Sequence, residues 1–542
     1  MLIDHSPMTP QKIERRRRYW IVLVLPVCFV VTQLYLRGQA GPFWQWNLLD
    51  PSYFYLLDGL NLINGDAPGH IFHPGVTVHA FNATLIWIYG LIVATSTADH
   101  LLDHPELYLH LLSNGVIILN ATGLTLIGVA GRRVFEAWLP GLVCQLAPFM
   151  SSIVLKHAFL PKPEALLVFS TATLIALALL TLIAPLSTAR RNHLAIGFGV
   201  VAGFILATKI TAAPILILPL FLMREPRLIL IYGVVSVLAF VLFFLPAIEV
   251  ADQYLDWLRR IATGTGAYGS GPEGVIDTER YPSAFAKVLK RPSLKVPLIL
   301  ALLALAVASW RFRRGREVGG NEIWLIVGVS TAQLVHAALV AKQPTAFYMI
   351  PSYMLAAVSV LFAIRLLWRC RPFGWGTPLL ARTLGTAIFA GFIVAQTAGV
   401  IKLAGYFETL RNETTSVNDN VFRRCARIYH YAASAPVFAM YLADYVTGSR
   451  FATALKKRFP ANDYWIDDWW DWRPVRLKNW TDIQEFKAVI AQYPCVYVRG
   501  KKRDRIDMFL KENARNVEFD TSCATGSEII RTYGIDCKGQ LK

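Results

Sequence analysis

Residues 46–94 read WNLLDPSYFYLLDGLNLINGDAPGHIFHPGVTVHAFNATLIWIYGLIVA, and the reading of this one stretch decides the fold. Its second half, from Val76 to Ala94, is apolar enough to be taken for a membrane span. Whether it crosses a bilayer sets the side on which everything downstream lies. Clusters of Lys and Arg mark the cytoplasmic connections of polytopic membrane proteins. Here they recur as Arg15–Arg18, Arg132–Arg133, Arg190–Arg191, Arg224 and Arg227, RFRRGR at 311–316, and Arg365 to Arg371. If 76–96 spans the membrane, Arg132–Arg133 and RFRRGR fall outside. If it lies in the interface, every cluster falls on one side. We therefore read 37–105 as one long outer loop carrying an interfacial helix over 76–96.

The rest of the chain fits a membrane protein. Of its 542 residues, 55% are hydrophobic and 17% charged, against about 25% charged in soluble proteins. Continuous apolar runs of about 17–25 residues indicate helical spans rather than a barrel. The formal charge of +18 would suggest nucleic acid on a soluble chain. Here its placement between apolar runs makes it a topology signal and excludes that reading. Spans are expected near 20–36, 107–130, 137–157, 164–185, 194–208, 211–223, 228–248, 294–310, 323–341, 346–366 and 383–403. The first is read as an uncleaved anchor with a cytoplasmic N-terminus. An odd number of spans then sends the C-terminus outside. The expected fold is mainly α: a polytopic membrane helical bundle of about 11 transmembrane helices, with a small α/β C-terminal extracytoplasmic domain. The bundle covers 1–403, with outer loops 37–105 and 249–293, and the outer domain covers 404–542. Strand-like runs in that domain are APVFAMYL, CVYVRG and VEF. Four of seven cysteines, Cys425, Cys495, Cys523 and Cys537, lie there, where disulfides form in an oxidising compartment. Their pairing is open at this level.

Several outer residues are candidates for chemistry. Asp50 opens the first loop and is followed by Tyr53 and Asp58, with His73 downstream. A carboxylate at a membrane-surface cleft can act as general base toward an attacking hydroxyl. An ordinary solvated loop with interfacial aromatics explains the same letters. Glu164, in FLPKPEALLVF, starts a span, where the helix dipole alone favours it; His157 and Lys162 flank the same turn. Lys209 and Lys342 are cations on the outer side, against the charge bias. They suit a phosphate at the bilayer surface, or snorkel to the headgroups. The loop 249–293 is basic and glycine-rich, and either lies on anionic lipid or covers a charged lipid carrier. ATGTGAYGSGPEGVI lacks the strand–glycine–helix context of nucleotide binding. Five tryptophans within 465–480 form a sugar platform, a domain core or a seam against the membrane.

In order and placement these pieces resemble the GT-C polytopic glycosyltransferases, which include dolichyl-phosphate-mannose protein mannosyltransferases and the bacterial aminoarabinose and lipopolysaccharide sugar transferases. The matching pieces are DPSYFYLLDG, HPGVTVHAF, the GRR turn, LPKPE, TKITAAPILILP and KQPTAFYMIP, spread over about 15–405. The resemblance implies a membrane glycosyltransferase of the cell envelope. It would move a hexosyl or pentosyl group, with inversion, from a polyprenyl-phosphate carrier to a glycan, lipid or protein acceptor at the outer face. It implies Asp50 as base, Glu164 as second acid, Lys342 and Tyr348 at the lipid phosphate, and Lys209 nearby. Two departures stand out: His73-Pro74-Gly75 where the family shows His-Pro-Pro, and Glu rather than Asp at the second acid. A divalent cation (Mg or Mn) is possible if both acids ligate it; a monophosphate donor does not require one, and metal is left open. WWD at 469–471 is similar to the acceptor motif of oligosaccharyltransferases, but Trp472-Arg473 follows where they have Tyr-Gly. The rival from another class is a lipid or polysaccharide transporter or flippase. It wants charge at mid-membrane, and the spans offer mainly His336 there.

Overall fold

The computed structural model describes residues 19–542 except 73–74, 94–95, 316–319, 371–377, 431, 461–463, 468–475, 502, 515–516, 521–525 and 537–542; of residues 19, 46–51, 267 and 378–390 it describes the backbone alone. Among the described residues, eight helices are long and apolar enough to cross a membrane. They are Trp20–Ala40, Pro105–Phe135, Pro163–Leu180, Thr188–Thr208, Pro226–Thr263, Pro292–Arg313, Gly320–Ala341 and Ala346–Cys370.

Two expected spans take other forms, and a third lies within a longer helix. The 137–157 stretch breaks into Trp138–Gln145, a 3-10 turn over Ala147–Met150 and Ser152–His157, because Pro148 opens the turn and Ser151 is extended. The 211–223 stretch is the short apolar helix Ile210–Leu222. The 383–403 stretch lies within Pro378–Thr415, whose 38 residues run past the 403/404 boundary expected between the two domains. Elsewhere a span overruns its expected end. Pro226–Thr263 bends at Pro246, where Ala247 leaves helical geometry, so the amphipathic Ala251–Thr263 helix departs as the start of the 249–293 loop.

The bundle packs through small residues, as helices in lipid do. Gly199 and Gly203 form a GxxxG face. A Cβ on Gly203 would stand 2.5 Å from Ala239 Cβ and from the Phe240 nitrogen. Gly131 meets Gly141 so closely that a Cβ there would fall 2.5 Å from the Gly141 Cα.

The first outer loop is mostly helical. Trp46–Ile63 carries Asp50, Tyr53 and Asp58; Val76–Gly90 and Thr97–Asp103 follow. At 15 residues the Val76–Gly90 helix is about 22 Å long, short of the ~30 Å hydrocarbon core.

Among the described residues the C-terminal domain forms a six-stranded mixed sheet with helices. Its strands are β1 (Ala426–Tyr429), β2 (Trp465–Asp467), β3 (Arg476–Lys478), β4 (Ile483–Glu485), β5 (Val496–Gly500) and β6 (Ile529–Tyr533), in the order β4-β3-β2-β1-β5-β6. β1 pairs in parallel with β2 and β5, and the outer pairs are antiparallel. The Cys425–Cys495 disulfide joins the residues just before β1 and β5. Cys523 and Cys537 lie outside the described residues.

Two strand assignments made from sequence are corrected. APVFAMYL is the start of the Pro436–Val446 helix, because Pro436 suits a first helical turn and its apolar letters are buried over the full turn, Phe438 to Met440, rather than on alternate positions. VEF, residues 517–519, forms no strand: Val517 N donates back to Ala514 O at 3.0 Å, and the residue after it, Asp520, makes a single bridge to Thr532.

The domain docks on the first loop. Asn61 Nδ2 donates to Thr447 O at 3.2 Å, and Arg450 donates to Ala67 O at 2.6 Å. Gly69 packs so closely that a Cβ would lie 2.5 Å from the Thr447 backbone. Arg458 bridges to Asp99 and Asp103.

Candidate functional site

Glu164 and Lys209 form the centre of the site. The sequence Leu160-Pro161-Lys162-Pro163 holds Lys162 extended and starts a helix at Pro163, as the residue before a proline requires. That leaves Glu164 in the first turn, 2% exposed. Lys209 ends the preceding Thr188–Thr208 helix; its backbone turns extended there, and its side chain is 1% exposed. Its ammonium donates to Glu164 Oε1. A late turn supplies the third side. Lys209 Nζ lies 4.5 Å from the Tyr348 ring and 5.5 Å from Phe347. Lys162 Nζ is 5.6 Å from Phe347, whose ring is 5.0 Å from His157. Three stretches more than 40 residues apart in sequence thus meet: 157–164, 209 and 347–348.

The first loop is tied to this centre through Gly75 and Thr77. Gly75 N donates to Thr208 O at 3.1 Å, and the Thr77 and Thr208 hydroxyls are 2.7 Å apart. Gly75 has φ +71, which proline's ring forbids. A Cβ there would also fall 2.9 Å from the Tyr55 ring. The departure from His-Pro-Pro therefore has a backbone reason. His70 is close enough for the Lys209 charge to act on it. His73 itself lies outside the described residues.

Asp50 belongs to the Trp46–Ile63 helix, not to an irregular loop; its side chain is outside the description. Tyr53 and Asp58, its neighbours on that helix, are engaged in holding the loop. Tyr53 donates to Glu106 Oε1 at 2.7 Å, and Glu106 also accepts from the backbone of Phe43 and Trp44 at 2.8 and 3.1 Å. Glu106 begins a span after Pro105 and showed no sign in the sequence beyond its helix-start position.

Asp58 is fully buried and accepts from Gly69 N, His70 N and Asn61 Nδ2 at 2.8, 3.0 and 3.1 Å. Burial pushes its carboxyl up to about 7 despite these donors. His79 stacks on Tyr55 at 4.7 Å, and burial lowers both His70 and His79 to about 3, so both are neutral at pH 7. A carboxyl raised in the folded state favours folding fully below its unfolded value, near 3.8, and that contribution is lost as pH rises through about 7. The drop in melting temperature between pH 5 and pH 8 should therefore be smaller in Asp58→Asn, whose single amide oxygen still accepts from one of the two backbone donors, Gly69 N or His70 N. An identical drop in wild type and variant, measured by differential scanning fluorimetry, would remove Asp58 as a source of pH dependence.

Lys342 is placed differently from Lys209. Its ammonium donates to Ile261 O at 2.5 Å and Ala262 O at 3.2 Å, capping the last turn of Ala251–Thr263 as a cation suits. Tyr348, its companion in the sequence reading, faces Lys209 instead. The 249–293 loop reaches the first loop by another contact: Tyr254 and Trp257 cluster with Ile71 and Val76.

Lys156 opens the 156–164 turn, and nothing in the sequence alone marks it as part of the site. Its ammonium lies 4.5 Å from the Tyr406 ring and donates to the Tyr406 hydroxyl at 3.3 Å. Lys501, on the outer domain, feels both Lys156 and Tyr406, so the domain brings a cation toward the same end of the bundle.

Among the described residues no group of three or more His, Cys, Asp or Glu is placed to hold a metal ion. Glu164 already carries the Lys209 ammonium, so the described donors fit a cation poorly, and no step is routed through one. Chemically, the centre is a carboxylate-held ammonium with aromatic walls and further lysines, suited to an anion presented at the membrane surface.

No family model and no curated protein matches the chain. Among solved structures it is similar to ArnT from Cupriavidus metallidurans bound to undecaprenyl phosphate, at 11% identity over 93% of this chain and 97% of that one, with a TM-score of 0.47.

Proposed function

We propose that the protein is a membrane glycosyltransferase that moves a sugar from a polyprenyl-phosphate carrier to an acceptor at the outer face of the cytoplasmic membrane. The observation that carries this reading is the buried Glu164–Lys209 pair, walled by Phe347 and Tyr348, with Lys162 beside it. Two fully buried ionised groups are costly to keep unless paired. An ammonium fixed at the end of a bundle is a ready counter-charge for a lipid phosphate. The charge clusters put this end outside and the N-terminus in the cytoplasm.

In the proposed reaction an acceptor hydroxyl attacks the anomeric carbon. The new C–O bond forms as the bond from that carbon to the phosphate oxygen breaks. Asp50 takes the hydroxyl proton, and the polyprenyl phosphate leaves with the bonding pair. Single displacement inverts the anomeric centre. Lys209 and Lys162 stabilise the charge that grows on the leaving phosphate. Glu164 holds Lys209 in position and is in this respect a positioning residue.

The test is turnover by the unaltered protein in proteoliposomes supplied with polyprenyl-phosphate-linked sugars and with glycan, lipid and protein acceptors, read as release of free polyprenyl phosphate together with sugar carried on an acceptor. Saturable release from at least one pentosyl or hexosyl donor is expected. No release from any donor, with the protein folded and inserted, overturns the proposal.

A further inference from the structure

The proposed transfer leaves one cavity without a role. A cleft of about 390 Å³ opens between the sheet domain and the first outer loop, with Trp44 on the loop side and Phe459 and Tyr464 on the domain side. That volume is in the range of small-molecule sites. Four guanidinium groups line it, from Arg423, Arg427, Arg458 and Arg499, against one carboxylate, Asp419, among the described lining residues.

Two of these cations are neutralised. Arg499 pairs with Asp419 and Glu528 at 3.0 and 2.5 Å, and Arg458 with Asp99 and Asp103 at 3.0 and 2.6 Å. Arg423 is exposed and its described partner is the uncharged Asn420 amide, at 3.3 Å. Arg427 comes from β1 and is 9% exposed. Among the described residues Arg423 meets no carboxylate, so the cleft presents its guanidinium beside aromatic faces.

A small inorganic anion needs no aromatic wall, and a neutral sugar needs no unneutralised guanidinium. A saccharide bearing carboxylate or phosphate groups uses both: its C–H faces pack on the rings and its charges pair with planar guanidinium forks. We infer that this cleft binds an anionic saccharide, as the acceptor of the transfer proposed above, and in that role the inference rests on that reading. The placement suits an acceptor. Trp44 precedes Asp50 by six residues, and the helix starts at Trp46, so the two are separated by no more than roughly 14 Å of chain.

The test titrates the full-length protein in uncharged phosphatidylcholine nanodiscs with hexagalacturonate and, separately, with maltohexaose. Hexagalacturonate is expected to bind more tightly than maltohexaose. Arg423→Glu is expected to weaken it by about tenfold or more, the loss of a charge-assisted contact. Arg190→Glu, the same charge change on a cytoplasmic connection, is expected to leave binding unaltered. The proposal falls if hexagalacturonate fails to bind, if Arg423→Glu and Arg190→Glu act alike, or if millimolar inorganic phosphate displaces it completely, which would mark a plain anion site. Donor turnover is followed in the same nanodiscs. Saccharide binding without any donor turnover overturns the acceptor role while the saccharide site stands.

Discussion

Replacing Lys209 by Met is expected to abolish sugar transfer and to destabilise the protein by about 3–5 kcal/mol, the cost of leaving a buried partner charge uncompensated. Glu164 is the partner left behind, 2% exposed and in the first turn of a membrane helix. The same cost is expected for Glu164→Gln, which strands the ammonium. The double variant Glu164→Gln/Lys209→Met removes both charges together, and replacing a buried pair by neutral groups is often nearly free. It should therefore regain most of the lost thermal stability. It should not regain transfer, because no ammonium is left to meet the leaving phosphate. This split between stability and activity is what distinguishes a functional cation from a packing device. Thermal unfolding and donor turnover on the same three samples measure it. Transfer at the wild-type rate in the double variant would end the role given to Lys209.

Asp50→Asn is expected to lower turnover by about 10²–10⁴-fold, the usual worth of a positioned general base, with donor affinity and membrane insertion unchanged. The substitution is nearly isosteric and lies within the Trp46–Ile63 helix, so the backbone has no reason to move. A readout that a purely structural residue would not give is the response to acceptor acidity. An acceptor hydroxyl of lowered pKa depends less on the base, so it should recover part of the rate in Asp50→Asn and gain little in wild type. Wild-type turnover in the variant, or a loss that acceptor acidity does not change, would remove Asp50 as the base.

The arrangement also explains the engagement of Tyr53 and Asp58, which the sequence pattern offered as substrate contacts. Tyr53 is held by Glu106, and Asp58 gathers the Gly69 and His70 amides. Both act by fixing the helix that carries Asp50 and the turn that leads to Gly75 and Thr208. The outer domain adds to the same clamp through Asn61 and Thr447.

Much of this was legible in the letters because the signals are local. A run of apolar residues long enough to cross lipid is a property of one segment, and so is a cluster of arginines beside it. Those two features are enough to read a helical bundle, an outer first loop and an outer domain. They also mark Glu164 and Lys209 as anomalies, an acid and a lysine at helix ends on the side where cations are scarce. Segment breaks were less legible. Hydropathy does not register that Pro148 and Ser151 break the 137–157 run, and the short apolar run APVFAMYL reads like a strand although Pro436 starts a helix.

Partner choice was not legible at all. Of the two outer lysines, the resemblance put Lys342 at the lipid phosphate and Lys209 only nearby. Only packing brought Lys209 to Glu164 and Tyr348 and gave Lys342 the last carbonyls of the Ala251–Thr263 helix. Burial leaves an ammonium no water to turn to, so its partner is whichever acceptor the fold places within reach, and that is a distance across the chain rather than a spacing along it. By itself the sequence determined the helical bundle and marked which charges were unusual at the ends of its helices. The tertiary structure decided which of those charges meet.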